Sequence, residues 1–132
     1  MIKNLIFDFG KVLVDYEYMT TLVEIFDTEA DALDFLQRFV NGGWAEKFDR
    51  EDKPVDEIIA DMQREMPEYA SQIVEFDHRY TSLVTGEIEG MAALLTRLKG
   101  EGYKLYGLTN WCSRVRQTMK LSLIHISEPT RL

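Results

Sequence analysis

Two short apolar segments on either side of a long helical stretch limit the folds open to this chain more than any other feature. Residues 2–8 read IKNLIFD, and residues 103–110 read YKLYGLTN. Both have the length and β-forming composition of strands, and the glycine that soon follows the first favours a strand over a helix. Because the first run is apolar without clean alternation, we predict that it is buried on both faces of a parallel sheet.

The stretch between these strands has helical spacing. Apolar residues recur three and four positions apart from about residue 16 to residue 84, with a break at NGGW (41–44) and two further breaks at prolines. The segment TGEIEG, at 85–90, indicates a hinge, and an amphipathic helix follows it. Strand, helical insert, helix and strand together predict an α/β fold with a parallel sheet.

Composition narrows the function classes. The formal net charge of −8 argues against a nucleic-acid partner, which selects for clustered lysine and arginine, but it leaves room for a small phosphorylated substrate. The single cysteine, Cys112, cannot form an internal disulfide, and no signal peptide or apolar run of about 18 residues is present. We therefore expect a soluble cytoplasmic protein with no membrane partner.

Polar side chains stand at the ends of both predicted strands. Asp8 ends the first strand, and Thr109 and Asn110 end the second. Ligands of open parallel sheets gather where the strands reach their carboxyl ends, so these residues form a candidate site. Simpler roles stay open at this point, because Asp8 could cap a turn and the Thr-Asn pair could start the following helix.

These segments resemble the motifs of the haloacid dehalogenase-like hydrolase superfamily. FDFGKVLVD, at 7–15, is similar to its first motif, LYGLTN, at 105–110, is similar to its second, and the helical insert has the position of its cap. The resemblance covers roughly residues 2–118. It implies a Rossmann-like parallel core, incomplete here, formed by residues 1–15 and 86–120, with a helical cap formed by residues 16–85.

The resemblance also implies a chemistry. Asp8 would be the nucleophile of a phosphatase that forms an aspartyl-phosphate, and Thr109 and Asn110 would bind the phosphoryl group of a small phosphorylated metabolite. A Mg²⁺ ion would be held by the Asp8 carboxylate and by the backbone carbonyl of Gly10.

Gly10 departs from the usual motif, which has an acid/base aspartate at that position. Some sugar-phosphate-type phosphatases of the superfamily also have glycine there. Its dehalogenases lack the aspartate too, because halide leaves without a proton. Two alternatives therefore stay open beside the phosphatase, namely a 2-haloacid dehalogenase that uses Asp8 without a metal and a non-catalytic phosphate-binding relative.

The last residues raise a different question. LSLIHISEPTR, at 121–131, is similar to the in-frame translation of a transposon-based sequencing adapter, so we expect residues 121–132 not to be native. No further strand is predicted after Thr118, and the superfamily's lysine and acidic metal-binding motifs are missing. We expect a native product of about 200 residues, and a 132-residue chain that is poorly stable and inactive.

Overall fold

A computed structural model describes residues 1–122 and 127–131, with side chains described for residues 1–117. The chain forms two compact units, which we call the α/β unit (Met1–Tyr16 and Val84–Leu132) and the helical unit (Glu17–Leu83). In chain order the elements are β1 (Asn4–Asp8), β2 (Val14–Tyr16), α1 (Met19–Ile25), α2 (Glu29–Asn41), α3 (Trp44–Arg50), α4 (Val55–Glu65), a 3-10 turn (Pro67–Tyr69), α5 (Ala70–His78), a second 3-10 turn (Tyr80–Leu83), β3 (Val84–Glu87), α6 (Met91–Gly100), β4 (Lys104–Thr109), α7 (Ser113–Ser122) and β5 (Ser127–Arg131). Within the described residues, no helix has the length and apolar character needed to cross a membrane.

The α/β unit contains a parallel sheet in the order β1-β4-β5. Strands β1 and β4 lie at the two places predicted from the sequence, and their register runs from Asn4 beside Lys104 to Asp8 beside Leu108. The predicted α/β class and the parallel pairing are therefore confirmed. After the exposed Lys104, the central strand β4 alternates buried and half-buried residues, with Leu105 and Thr109 on the buried side.

Strand β1 is less buried than predicted. Its residues alternate between exposed and half-buried, and Ile6 keeps 67% of its surface accessible. The expectation of a strand buried on both faces is wrong, because β1 lies at the edge of the sheet and its even-numbered side chains face solvent. A continuous apolar run does not reveal how many neighbours will cover it.

Three further strands were not predicted from the sequence. Val84–Glu87 pairs antiparallel with Val14–Tyr16, so the first part of the segment predicted as a hinge is a strand. The register shifts between Asp15 and Tyr16, and a short, bulged pair of this kind has too few residues to show a period of two. After Thr118, where no strand was predicted, Ser127–Arg131 pairs with β4.

The core of the helical unit is built from aromatic rings. Phe35 and Phe39 of α2 are fully buried and both contact Phe76 of α5, with ring centroids 5.2 and 5.1 Å apart. Edge-on and tilted contacts of this kind are the favoured geometry for phenyl rings. Thr28 directly precedes helix α2, and its hydroxyl accepts the backbone N–H of Asp31 at 3.1 Å and so caps the first turn.

Candidate functional site

The parallel register brings the predicted site residues to one edge of the sheet. Asp8 is the last residue of β1 and pairs with Leu108, so Thr109 and Asn110 follow at the same carboxyl edge. Asp8 and Asn110 are exposed, whereas Thr109 is buried, with 3% of its surface accessible. A carboxylate, a buried hydroxyl and an amide thus stand at the ends of two neighbouring strands, where ligands of parallel sheets bind.

The backbone after Asp8 holds its carboxylate. Asp8 Oδ1 accepts the backbone N–H of Phe9 at 2.8 Å. The carbonyl oxygen of Phe9 in turn accepts the backbone N–H groups of the three residues 12–14, at 3.2, 2.9 and 3.0 Å. The chain therefore turns tightly as soon as it leaves β1, and the carboxylate is presented at the turn rather than on a long, loose loop.

Thr109 is positioned by the turn that leads into α7. Its hydroxyl oxygen accepts the backbone N–H of Trp111 at 3.1 Å. A hydroxyl that accepts one hydrogen bond still has its own proton to donate. The turn-capping role that the sequence left open is therefore present, and it is compatible with donation of a hydrogen bond to a phosphoryl oxygen.

Gly10 lies against two aromatic rings, which we call the aromatic wall (Tyr16 and Trp111). The rings meet edge to face, with centroids 5.2 Å apart and an interplanar angle of 87°. A Cβ atom added at Gly10 would stand 3.1 Å from Tyr16 Cε1 and 3.2 Å from Trp111 Cζ2. The backbone of Gly10 is not in the left-handed region, so lack of space, rather than backbone conformation, accounts for glycine here.

The side chain of Lys11 connects the loop that follows β1 to strand β2. Its ammonium Nζ is 2.5 Å from Asp15 Oδ1 and 2.8 Å from the carbonyl oxygen of Tyr16, and it lies 4.9 Å from the centroid of the Tyr16 ring. The hydrogen bond from Lys11 lowers the pKa of the Asp15 carboxyl. Both side chains are more than half exposed, so the pair contributes little to stability and acts chiefly by fixing the loop.

Sequence reasoning assigned no role to three residues at this edge, namely Lys11, Tyr16 and Trp111. The only sequence signal for Lys11 was its i,i+4 spacing from Asp15, and this spacing of opposite charges is also common on solvated surfaces. The signal for Trp111 was its position directly after the Thr-Asn pair. Contact between Tyr16 and Trp111 joins residues 95 positions apart, so a local pattern could not reveal it.

The donor chemistry at this edge fits Mg²⁺. Among the residues described by the structure, no group of three or more His, Cys, Asp or Glu side chains lies close enough to hold a metal ion. The two expected ligands, the Asp8 carboxylate and the Gly10 carbonyl, are both hard oxygen donors. Mg²⁺ usually takes one or two carboxylates together with waters and substrate phosphate, so these atoms suit part of its shell.

Comparisons with known proteins give no match, whether with protein-family models, curated proteins or solved structures. Any functional assignment therefore rests on the sequence motifs and on the placement at one edge of the sheet of four residues, Asp8, Gly10, Thr109 and Asn110.

Proposed function

We propose that residues 1–120 belong to a Mg²⁺-dependent phosphatase-type hydrolase of the haloacid dehalogenase-like superfamily, acting on a small phosphorylated metabolite. The observation that supports this most is the parallel register that puts Asp8 beside the Thr109–Asn110 turn. In this proposal residues 1–15 and 86–120 form part of a Rossmann-like core, residues 16–85 form a helical cap, and residues 121–132 are not native.

Asp8 is the nucleophile of the proposed reaction. Its carboxylate forms a bond to phosphorus while the bond from phosphorus to the ester oxygen breaks, and the leaving oxygen takes the electron pair. Water then attacks the aspartyl-phosphate, releases phosphate and regenerates the carboxylate. Because the Phe9 N–H already holds Oδ1, we assign the attack to Oδ2.

The phosphoryl group is bound by the end of β4. The Thr109 hydroxyl donates a hydrogen bond to a phosphoryl oxygen, and Asn110 supplies amide N–H groups beside it. The buried position of Thr109 supports this role, because a hydroxyl fixed by its bond to the Trp111 N–H loses little entropy on binding. Mg²⁺ held by Asp8 and the Gly10 carbonyl would screen the repulsion between the anionic nucleophile and the anionic substrate.

A 2-haloacid dehalogenase is the second candidate function. Gly10 favours it, because displacement of halide at carbon needs no proton donor and position 10 has none. Removal of metal separates the two activities, since EDTA abolishes phosphate release by the phosphatase and leaves halide release by the dehalogenase unchanged.

The test uses the product of the gene as read from the source DNA through the codon for Lys120 to its stop codon. Phosphate release is measured over a panel of phosphorylated metabolites and aryl phosphates. Asp8→Asn is expected to lower kcat/KM by at least about 10³-fold, as loss of a nucleophile does. Asp15→Asn is the matched control, because Asp15 is a second exposed carboxylate in the same segment, and it is expected to retain activity.

Equal turnover by the Asp8→Asn variant and the parent would refute the proposal. A non-catalytic relative would show no turnover and no beryllofluoride adduct at Asp8, whereas the proposed enzyme forms that adduct. The 132-residue chain itself is expected to show no turnover. Asp8-dependent turnover by that chain would overturn the expectation of inactivity while supporting the nucleophile.

A further inference from the structure

The helical unit contains a small cleft between α3, α4 and the loop that joins them. Its volume is about 180 Å³. An engineered apolar cavity of about 150 Å³ holds one benzene molecule, so this cleft suits an apolar group of about six to eight non-hydrogen atoms. All of its lining residues belong to the helical unit, so the proposed catalytic residues take no part in it. The lining residues are Trp44, Lys47, Asp52, Lys53, Ile58 and Asp61.

The cleft combines buried apolar residues with a charged rim. Trp44 and Ile58 are buried, with 4% and 2% of their surface accessible, whereas Lys47, Asp52 and Lys53 are exposed. Small-molecule sites have this composition, in which apolar walls bind the body of the ligand and a few polar groups fix its orientation. The indole Nε1 of Trp44 is buried and has no hydrogen-bond partner within the part of the chain whose side chains are described. Because buried polar groups in native proteins nearly always have a partner, this donor supports a ligand with an acceptor group.

Two of the four charged residues of the cleft already pair with each other. Lys53 Nζ donates to Asp61 Oδ2 at 3.2 Å, and Arg64 of α4 pairs with Asp61 Oδ1. The charges of Lys53 and Asp61 are therefore balanced without a ligand.

The other two charged residues have no partner of opposite charge. Lys47 Nζ lies over the Trp44 ring, 4.0 Å from its centroid, and this contact holds the ammonium at the rim. Among the residues with described side chains, no carboxylate pairs with Lys47, and the Asp52 carboxylate forms neither a hydrogen bond nor an ion pair. One positive and one negative group of the same cleft are thus available to a ligand.

We propose that this cleft binds a small free α-amino acid with an apolar side chain, of the size of valine or leucine. The ligand carboxylate pairs with the Lys47 ammonium, the ligand ammonium pairs with the Asp52 carboxylate, and the apolar side chain contacts Ile58. The Trp44 ring keeps its contact with Lys47. A zwitterion is favoured because a ligand with a single charge complements only one of the two groups. This binding role goes beyond the proposed function and does not rest on it.

The experiment titrates L-leucine and L-valine into the gene product by isothermal titration calorimetry. Two leucine analogues separate the charges, because 4-methylpentanoic acid lacks the ammonium and 3-methylbutylamine lacks the carboxylate, while both keep the branched apolar chain. We expect both amino acids to bind with a Kd of about 1 mM or below. Each analogue is expected to bind at least about fivefold more weakly than leucine, since one ion pair at an exposed rim contributes about that much.

Matched variants test the two proposed contacts. Lys47→Gln and Asp52→Asn are each expected to weaken leucine binding at least about fivefold. Arg50→Gln and Asp56→Asn are the controls, because they remove an exposed cation of α3 and an exposed carboxylate of α4 that do not line the cleft. Both controls are expected to bind leucine as the parent does.

Three results would overturn this inference. They are no binding of either amino acid up to about 10 mM, equal affinity for leucine and either analogue, and unchanged leucine affinity in Lys47→Gln or in Asp52→Asn. The Asp8→Asn variant is expected to bind leucine as the parent does, because Asp8 lies in the α/β unit. Failure of the proposed phosphatase activity and failure of this binding role are therefore measured separately.

Discussion

Replacing Gly10 with alanine adds one methyl group at the most crowded point of the candidate site. The added Cβ would lie 3.1 Å from Tyr16 Cε1 and 3.2 Å from Trp111 Cζ2. Ordinary carbon contacts are about 3.5–4.0 Å, so both rings have to move by a few tenths of an ångström. The two rings already hold each other edge to face, and neither can move away without disturbing the other.

The magnitude follows from the cost of overpacking. An extra carbon in a well-packed place costs about 1–3 kcal/mol, and this site has ring atoms on two sides of the added group. We expect Gly10→Ala to lower the free energy of unfolding by about 2 kcal/mol. Backbone strain adds nothing, since Gly10 is not in the left-handed region. The whole cost is therefore steric and depends on the aromatic wall.

Urea unfolding of the gene product, followed by circular dichroism, measures this cost. Gly100→Ala is the matched control, because Gly100 ends α6 in the same unit and an added Cβ there meets no atom within 4 Å. The control is expected to be neutral or to stabilise by up to about 1 kcal/mol. In a Trp111→Ala background, the cost of Gly10→Ala should fall by about half. An unchanged cost in that background would refute the steric reasoning.

Three further predictions concern the helical unit, each measured as the free energy of unfolding in urea. Phe35→Ala removes a fully buried ring in contact with several others and should cost about 3–5 kcal/mol, and a cost below 1 kcal/mol would contradict the described packing. Thr28→Ala removes the α2 cap and should cost about 1 kcal/mol, whereas Thr28→Gly should cost only a few tenths. The Tyr69 hydroxyl donates to Asp34 Oδ2 at 2.7 Å, and this bond raises the Tyr69 pKa from 10.0 to about 12. The stability that this bond contributes is fully present below pH 10 and is lost as the pH rises to about 12. The Tyr69→Phe variant lacks the bond, so its free energy of unfolding should not show this loss between pH 10 and about 12. An identical pH profile for the two proteins would argue against the bond.

Local patterns were sufficient to predict the two parallel strands and the helical insert. The apolar runs that end at Asp8 and Thr109 both became strands, because their length and composition suit a strand wherever the sheet lies. The same runs also predicted that the polar residues at their ends would lie at one edge of the sheet, because the carboxyl ends of parallel strands meet at the same edge. Their catalytic and binding roles remain predictions.

Features that depend on distant partners could not be read from the sequence. The pairing of Val84–Glu87 with Val14–Tyr16 joins short segments with no clear alternation, and glycine at position 86 favoured a hinge. The exposure of Ile6 depends on which elements cover β1, and its own composition says nothing about that. The aromatic wall likewise depends on contact between Tyr16 and Trp111 across most of the chain.

The pairing of β1 with β4 has a consequence for how the chain folds as it is made. Asn4 pairs with Lys104, one hundred positions later, and the whole helical unit is synthesised between them. At about 5–20 residues per second, a ribosome needs about 5–20 s to add the missing partner after β1 has emerged. During that time the helices can pack through contacts close in sequence, while the backbone of β1 has no β4 with which to pair. Strand β1 can therefore pair with β4 only after the helical unit has been made, and we expect chaperones to bind β1 during that interval.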